Sequence, residues 1–434
     1  MTELWYRLNV FAEKPFFNNK FADGLIVPAN LIAYYEIAMP ELLNECRLPF
    51  LIDPMSYVWG IDAPISENGG LRKSFTKLVE KLNCSTASML GNQKIQTIRE
   101  GSSEFDEFIL NFLRLQMINM PTSVSPRRQS IDRIKRFKQK EVLKESSCFP
   151  YALIPPYFYF ETIIGNSYQK TLYAANKAKD TFAEKHKIFP CLCMSKNLLA
   201  EEEYIRTLVQ DFKDFDGVNL WISDFDETYA NLIELSNFSK LIKGISESEL
   251  EVVNFYGGYF SLMLHHVGLS KLSCGICYSR SKQVQSPQGG GGLPIRYYEP
   301  HLKRKLPIAD MALLYSEIPE LFTCTCPICS SYSEQFTTKS KDDRDKILVD
   351  FFTGKKSQDG KTTHGVIDWE KSRLHFLYTQ KAEKEQIESE SLSDTIDSIR
   401  ENYTLLKKKQ LKEFRYGSYE YLKLWADSLQ VFKP

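Results

Sequence analysis

The sequence predicts an α/β fold: a (β/α)8, TIM-type barrel followed by a zinc-binding, largely helical C-terminal subdomain. Three observations predict it. Short apolar runs are separated by longer amphipathic stretches, polar residues stand just after those runs, and a tight cysteine cluster lies at 324–329. A chain of 434 residues, 43% hydrophobic and 25% charged, suits one large barrel with an appendage. The expected division is a barrel over 1–310, with insertions near 121–144 and 283–307, and a zinc-binding subdomain with C-terminal helices over 311–434.

The runs read as strands are 48–58, 151–161, 188–195, 217–223, 252–258 and 272–279, with a further one within 24–35. Most are apolar nearly throughout, as expected of parallel strands covered on both faces. Helices are predicted between them at 164–186, 199–213, 227–243 and 258–268, and a final helical stretch at about 375–411. Asp53, Glu161, Ser195 with Lys196, Asp224 with Asp226, and Tyr278 with Arg280 follow the runs directly. In a parallel barrel these are the C-terminal strand ends, where active sites are built. Each residue alone also reads as a helix cap or a surface loop residue.

Formal net charge is zero, with 55 basic and 55 acidic residues, so no global field draws the molecule to nucleic acid. Local basic segments could do so instead. Residues 121–144 carry four arginines and four lysines against two acids. Residues 283–307 pair a run of glycines with Arg296, Tyr297, Tyr298, Lys303, Arg304 and Lys305. Arginines and lysines beside aromatic rings suit phosphates and stacked bases, although solvated loops have the same composition. The N-terminus lacks the apolar core of a secretory signal, and no window has the apolar length of a membrane span. A cytoplasmic protein without membrane association is expected, with its scattered thiols reduced.

Cys324, Cys326 and Cys329 fall within six residues on a turn marked by Pro327. Three thiolates so spaced can occupy three corners of a Zn²⁺ tetrahedron, and a histidine would complete a closed, structural site. The downstream histidines are His364, in a glycine-containing loop, and His375, at the head of a predicted helix. The helix offers the more rigid mount, so His375 is the preferred ligand. The adjacent His265 and His266 point about 100° apart on a helix and do not suit a shared ion.

A CxCxxC cluster followed by a histidine opening a late helix resembles the zinc signature of the tRNA-guanine transglycosylases. The order of the remaining runs, over roughly 20–410, is similar as well. LIDPMSYVWG aligns its Asp53 with the family's first strand-end aspartate, and YFYFE offers Glu161 for a base-contacting acid. DFDGVNLWISDFDE matches the family's Asp-Phe-Asp-Gly turn and following strand, and Gly257 and Gly258 match its glycine turn. The resemblance implies a nucleic-acid guanine transglycosylase, a pentosyltransferase that exchanges guanine for a 7-deazaguanine base in DNA or tRNA. The insertion at 283–307 is reminiscent of the branch that acts on DNA. Two features depart from the family. Ser273 stands where the family's nucleophilic aspartate is expected, and the transfer-RNA enzymes lack the insertion.

Base exchange needs a carboxylate to capture C1′ and an acid/base to serve the departing purine. Asp53 is the expected acid/base by position. Asp224 or Asp226 could replace the nucleophile missing at Ser273. Glu161 with Gly257 and Gly258 would contact the base, and Arg280, Arg296, Lys303 and Arg304 would hold phosphates. The alternative is a catalytically inactive barrel that keeps its zinc and serves as a nucleic-acid-binding or partner-binding subunit.

Overall fold

The computed structural model describes residues 1–17, 20–61, 66–67, 70–90, 94–117, 149–276, 281–285, 295–336, 338–353 and 365–433. Seven parallel strands form one curled sheet: β1 Glu3–Arg7, β2 Gly24–Pro28, β3 Phe50–Asp53, β4 Cys191–Ser195, β5 Gly217–Ser223, β6 Glu251–Asn254 and β7 Lys271–Cys274. Their order across the sheet is β3-β2-β1-β7-β6-β5-β4. Every pairing is parallel, as the unbroken apolar runs require.

Among the described residues this sheet has seven strands, where the sequence predicts eight. The run 151–161, read as a strand, makes only isolated bridges, Leu153 with Ile188 and Phe160 with Met194. Pro155 and Pro156 sit at its centre and have no N–H to give a ladder. Its ends still bond to both outer strands: Tyr151 N–H donates to the Phe50 carbonyl at 2.8 Å, and Phe160 N–H to the Cys193 carbonyl at 3.0 Å. Between them, Gln116 supplies a side-chain ladder, its amide giving 2.7 Å to the Ile154 carbonyl and taking 2.9 Å from the Ile154 N–H.

The expected strand at 24–35 divides at Pro28, the N-cap of a helix over Ala29–Tyr34. The long helical stretch also divides, into Trp369–Ser389 and Leu392–Lys408. Ser391 caps the second of these through the Asp394 N–H. A last helix, Glu420–Gln430, follows. Among the described residues, no helix is long and apolar enough to cross a membrane.

Side-chain alternation assigns the faces of the sheet. Tyr6 on β1 and Cys274 on β7 both meet Gln380 of the helix Trp369–Ser389, so they point outward. Trp5, Arg7, Lys271 and Ser273 therefore point inward. The Trp5 ring lies 2.2 Å from where a Cβ on Gly24 would stand, so only glycine lets this indole fill the N-terminal end of the interior.

Candidate functional site

The inner face at the C-terminal strand ends combines charge with aromatic walls. Arg7, at the end of β1, reaches past β2 to pair with Asp53 at the end of β3, and water reaches neither side chain. Asp53 also accepts the Tyr157 hydroxyl at 2.6 Å and the Met55 N–H at 2.9 Å. Burial, and then the Asp53 charge, push the Tyr157 phenol well above its ordinary range, so it remains a neutral donor. The Arg7 guanidinium lies 5.2 Å from the Tyr256 ring centroid.

The walls are Tyr57, Trp221 and Tyr256. Tyr57 meets Trp221 edge-on at 4.7 Å, and Trp221 meets Tyr256 at 5.2 Å. The Lys282 ammonium enters this group, 5.1 Å from the Trp221 ring and 5.8 and 5.7 Å from those of Tyr57 and Tyr256. Burial first, and the nearby Arg7 guanidinium second, push its pKa down to about 8. Residues 281–285 are fastened over the end of β5. Trp221 Nε1 donates to the Lys282 carbonyl at 3.0 Å, Val284 N–H to the Ser223 hydroxyl at 3.1 Å, and the Ser281 hydroxyl to Asp226 at 3.4 Å. Among the described residues, Arg7 Nη1, the Tyr256 hydroxyl and the Ser273 hydroxyl on this inner face are buried with no hydrogen-bond partner. Buried groups of this kind call for water or a ligand.

The two candidate nucleophiles differ in their surroundings. Asp224 directly follows β5, is exposed, and holds the left-handed conformation at φ 63°. A non-glycine residue there is strained, and such strain concentrates at functional positions. Asp226 is tied into its own turn by the Thr228 N–H at 2.9 Å and the Thr228 hydroxyl at 2.7 Å. Glu161 is exposed and accepts the Tyr159 hydroxyl at 3.2 Å. Gly257 N–H donates to the Ser273 carbonyl at 3.2 Å, and Gly258 N–H to buried Glu227 at 2.9 Å. Both glycine N–H groups are thus engaged within the protein.

Of the basic residues of 296–305, Lys303 is buried and Arg296, Arg304 and Lys305 are half-buried. Arg296 lies on a strand, Arg296–Glu299, that pairs antiparallel with Arg304–Pro307. Lys303 is buried, donates to Glu383 at 2.9 Å and stands 4.1 Å above the Tyr259 ring. Arg304 donates to the Ser418 carbonyl at 3.3 Å, and Lys305 to the Ile276 carbonyl. Arg280 and the basic segment at 121–144 lie outside the described residues, as does His364.

The cysteine cluster is assembled with His375. The three sulfurs and His375 Nδ1 all lie within 4.8 Å of one another, with Nδ1 at 3.6, 3.4 and 3.4 Å from Cys324, Cys326 and Cys329. Around a tetrahedral ion of zinc's size the nitrogen–sulfur edge is about 3.5 Å, so the donor set fits a metal. The remaining ring nitrogen, Nε2, lies 2.8 Å from the Tyr298 carbonyl, which holds Nδ1 toward the sulfurs. Tyr297 stacks on the imidazole at 3.9 Å, and its hydroxyl lies 3.0 Å from Cys329 Sγ. Tyr298 donates to Glu383. The two tyrosines read as base-stacking residues thus pack against the cysteine–histidine group and its helix. His375 lies two turns into its helix rather than at its head. His265 and His266 bond separately, to Thr2 and Thr395.

Arg7, Tyr157, Trp221 and Lys282 escape a reading by motif. The usable signal was positional, since Trp221 and Lys282 lie on or beside segments already marked as strand end and insertion.

No family model and no curated protein matches the sequence. Among solved structures, an intracellular xylanase of Thermoanaerobacterium saccharolyticum is similar at 8% identity and a TM-score of 0.34. The alignment covers 68% of this chain and 91% of that one. So distant a likeness carries no argument about activity.

Proposed function

We propose that the chain is a nucleic-acid guanine transglycosylase-like protein, exchanging guanine for a 7-deazaguanine base in DNA or tRNA. The observation that carries this reading is the inner face at the strand ends. There the buried rings of Tyr57, Trp221 and Tyr256 gather beside Arg7 Nη1 and the Tyr256 hydroxyl, which have no partner among the described residues, a combination of stacking and polar groups that suits a purine. Asp224 takes the role of nucleophile. It is the exposed, strained carboxylate at the end of β5, whereas Ser273 is buried and lacks the charge to trap an oxocarbenium-like carbon. Arg7 and Asp53 form the polar floor. The Cys324, Cys326, Cys329 and His375 group holds Zn²⁺, since three thiolates with one imidazole are a closed structural zinc set. Four protein ligands leave no open position, so the ion supplies structure and takes no part in exchange.

A second reading, an inactive barrel acting as a nucleic-acid-binding or partner-binding subunit, is favoured by one observation. Asp53 is saturated by Arg7, Tyr157 and Met55 and is not available as the acid/base.

Incubation with radiolabelled guanine and either DNA or transfer RNA separates the two readings. The active reading expects label in one of them, reduced at least about 100-fold by Asp224→Asn. No incorporation into either nucleic acid returns the chain to the second reading.

A further inference from the structure

Asp53 is the natural acid/base by position, but its surroundings leave that role open. Arg7, the Tyr157 hydroxyl and the Met55 N–H all donate to it, and it is sealed from water. With these three donors on it and no side open, the carboxylate cannot reach a departing purine. The proton carrier must therefore be another group on the same aromatic face.

We propose that Lys282 is that carrier: its ammonium, set between the Trp221, Tyr57 and Tyr256 rings, protonates the departing purine, and the resulting amine takes a proton from the incoming base. The inference rests on the exchange reading above. The bookkeeping closes. The C1′–N9 bond breaks with its electron pair going to the purine, the Lys282 proton neutralises that purine, and an Asp224 oxygen forms a bond to C1′. In the second half the incoming base gives its N9 proton to the Lys282 amine and bonds to C1′, and the Asp224 bond breaks back to a carboxylate. The departing base thus takes up one proton and the incoming base returns one.

The geometry suits this task in two ways. The carbonyl of Lys282 is fixed by Trp221 Nε1, so the backbone is pinned to the ring that its ammonium faces. The groups facing the ammonium come from six places in the chain: Arg7 on β1, Asp53 on β3, Tyr57 just after β3, Cys193 on β4, Trp221 on β5 and Tyr256 just after β6. Burial and Arg7 disfavour its charge, while Asp53 and Cys193 oppose them more weakly. The result, near 8, is matched to proton transfer in both directions at neutral pH.

The test is single-turnover release of guanine from labelled nucleic acid as a function of pH. Wild-type release should fall about tenfold per pH unit above pH 8, as the ammonium is lost. Lys282→Gln should lower release about 100-fold or more with unchanged affinity for the nucleic acid. Lys282→Arg, permanently charged, should abolish the alkaline limb. In the wild-type protein, acetic anhydride labelling followed by peptide mass spectrometry should place the titration of Lys282 near pH 8. Ordinary lysines titrate near about 10.4. Equal release by Lys282→Gln, or a Lys282 titration near 10, overturns the inference and leaves exchange standing. No release by the wild-type protein overturns both.

Discussion

Arg7 and Asp53 set the character of the inner face, because both charges are out of water and each depends on the other. A buried pair adds little to stability compared with apolar residues of the same size, but removing one member leaves a bare charge. Arg7→Met should therefore destabilise the protein by about 3–5 kcal/mol, whereas Arg7→Met combined with Asp53→Leu should recover much of the loss. Equal losses in single and double variants, measured by denaturant unfolding, would show that the pair is not interdependent. Asp53 was legible in the sequence because it ends an apolar run. Arg7 was not, because ELWYR is only five residues long and reads as no particular element. Lys303 and Arg304 mislead in the opposite way. Their clustering suggests a phosphate surface, yet Glu383 takes Lys303 inside and the Ser418 carbonyl engages half-buried Arg304, and nothing in local composition marks those distant partners.

Among the elements, those set by local chemistry were read best. GVNLWIS is the strand Gly217–Ser223, and Cys324, Cys326 and Cys329 share one short turn, to which the fold brings His375 on its helix. Breaks were read less well. The capping signal at Ser391 and Asp394 was present inside the stretch taken as one helix, and the Pro155-Pro156 pair was present inside the run taken as a strand. That run keeps its place through a side chain far away in sequence, since Gln116 both donates to and accepts from the Ile154 backbone. Gln116→Leu should strand one buried N–H and one buried carbonyl, each costing about 1–3 kcal/mol. Thermal unfolding should show the loss, while Gln116→Glu should keep the acceptor and give up the donor. A Gln116→Leu protein as stable as wild type would mean that water or another group satisfies Ile154.

For the whole molecule, the helix Trp369–Ser389 joins the cysteine–histidine group to the sheet. His375 on it completes that group, Gln380 bonds the Tyr6 hydroxyl of β1 at 2.8 Å and meets Cys274 of β7, and Glu383 takes the buried Lys303. The last helix adds a second tie, Trp425 Nε1 donating 2.8 Å to the Glu227 carbonyl beyond β5. Metal binding contributes folding free energy wherever its ligands are brought together only by the fold. Here His375 sits only five residues from Gln380, the sheet contact on the same helix, so the loss should spread beyond the cysteine turn. Elemental analysis of the purified protein should find one zinc per chain. Stripping it with a chelator, or substituting Cys326→Ser, should lower the midpoint of a single calorimetric transition and expose tryptic sites in the helix Trp369–Ser389. Two separate transitions, the upper one unmoved by chelation, would show instead that the metal stabilises only its own region. Protein that contains no metal as purified, and whose unfolding chelators leave unchanged, would remove zinc from the account of the fold altogether.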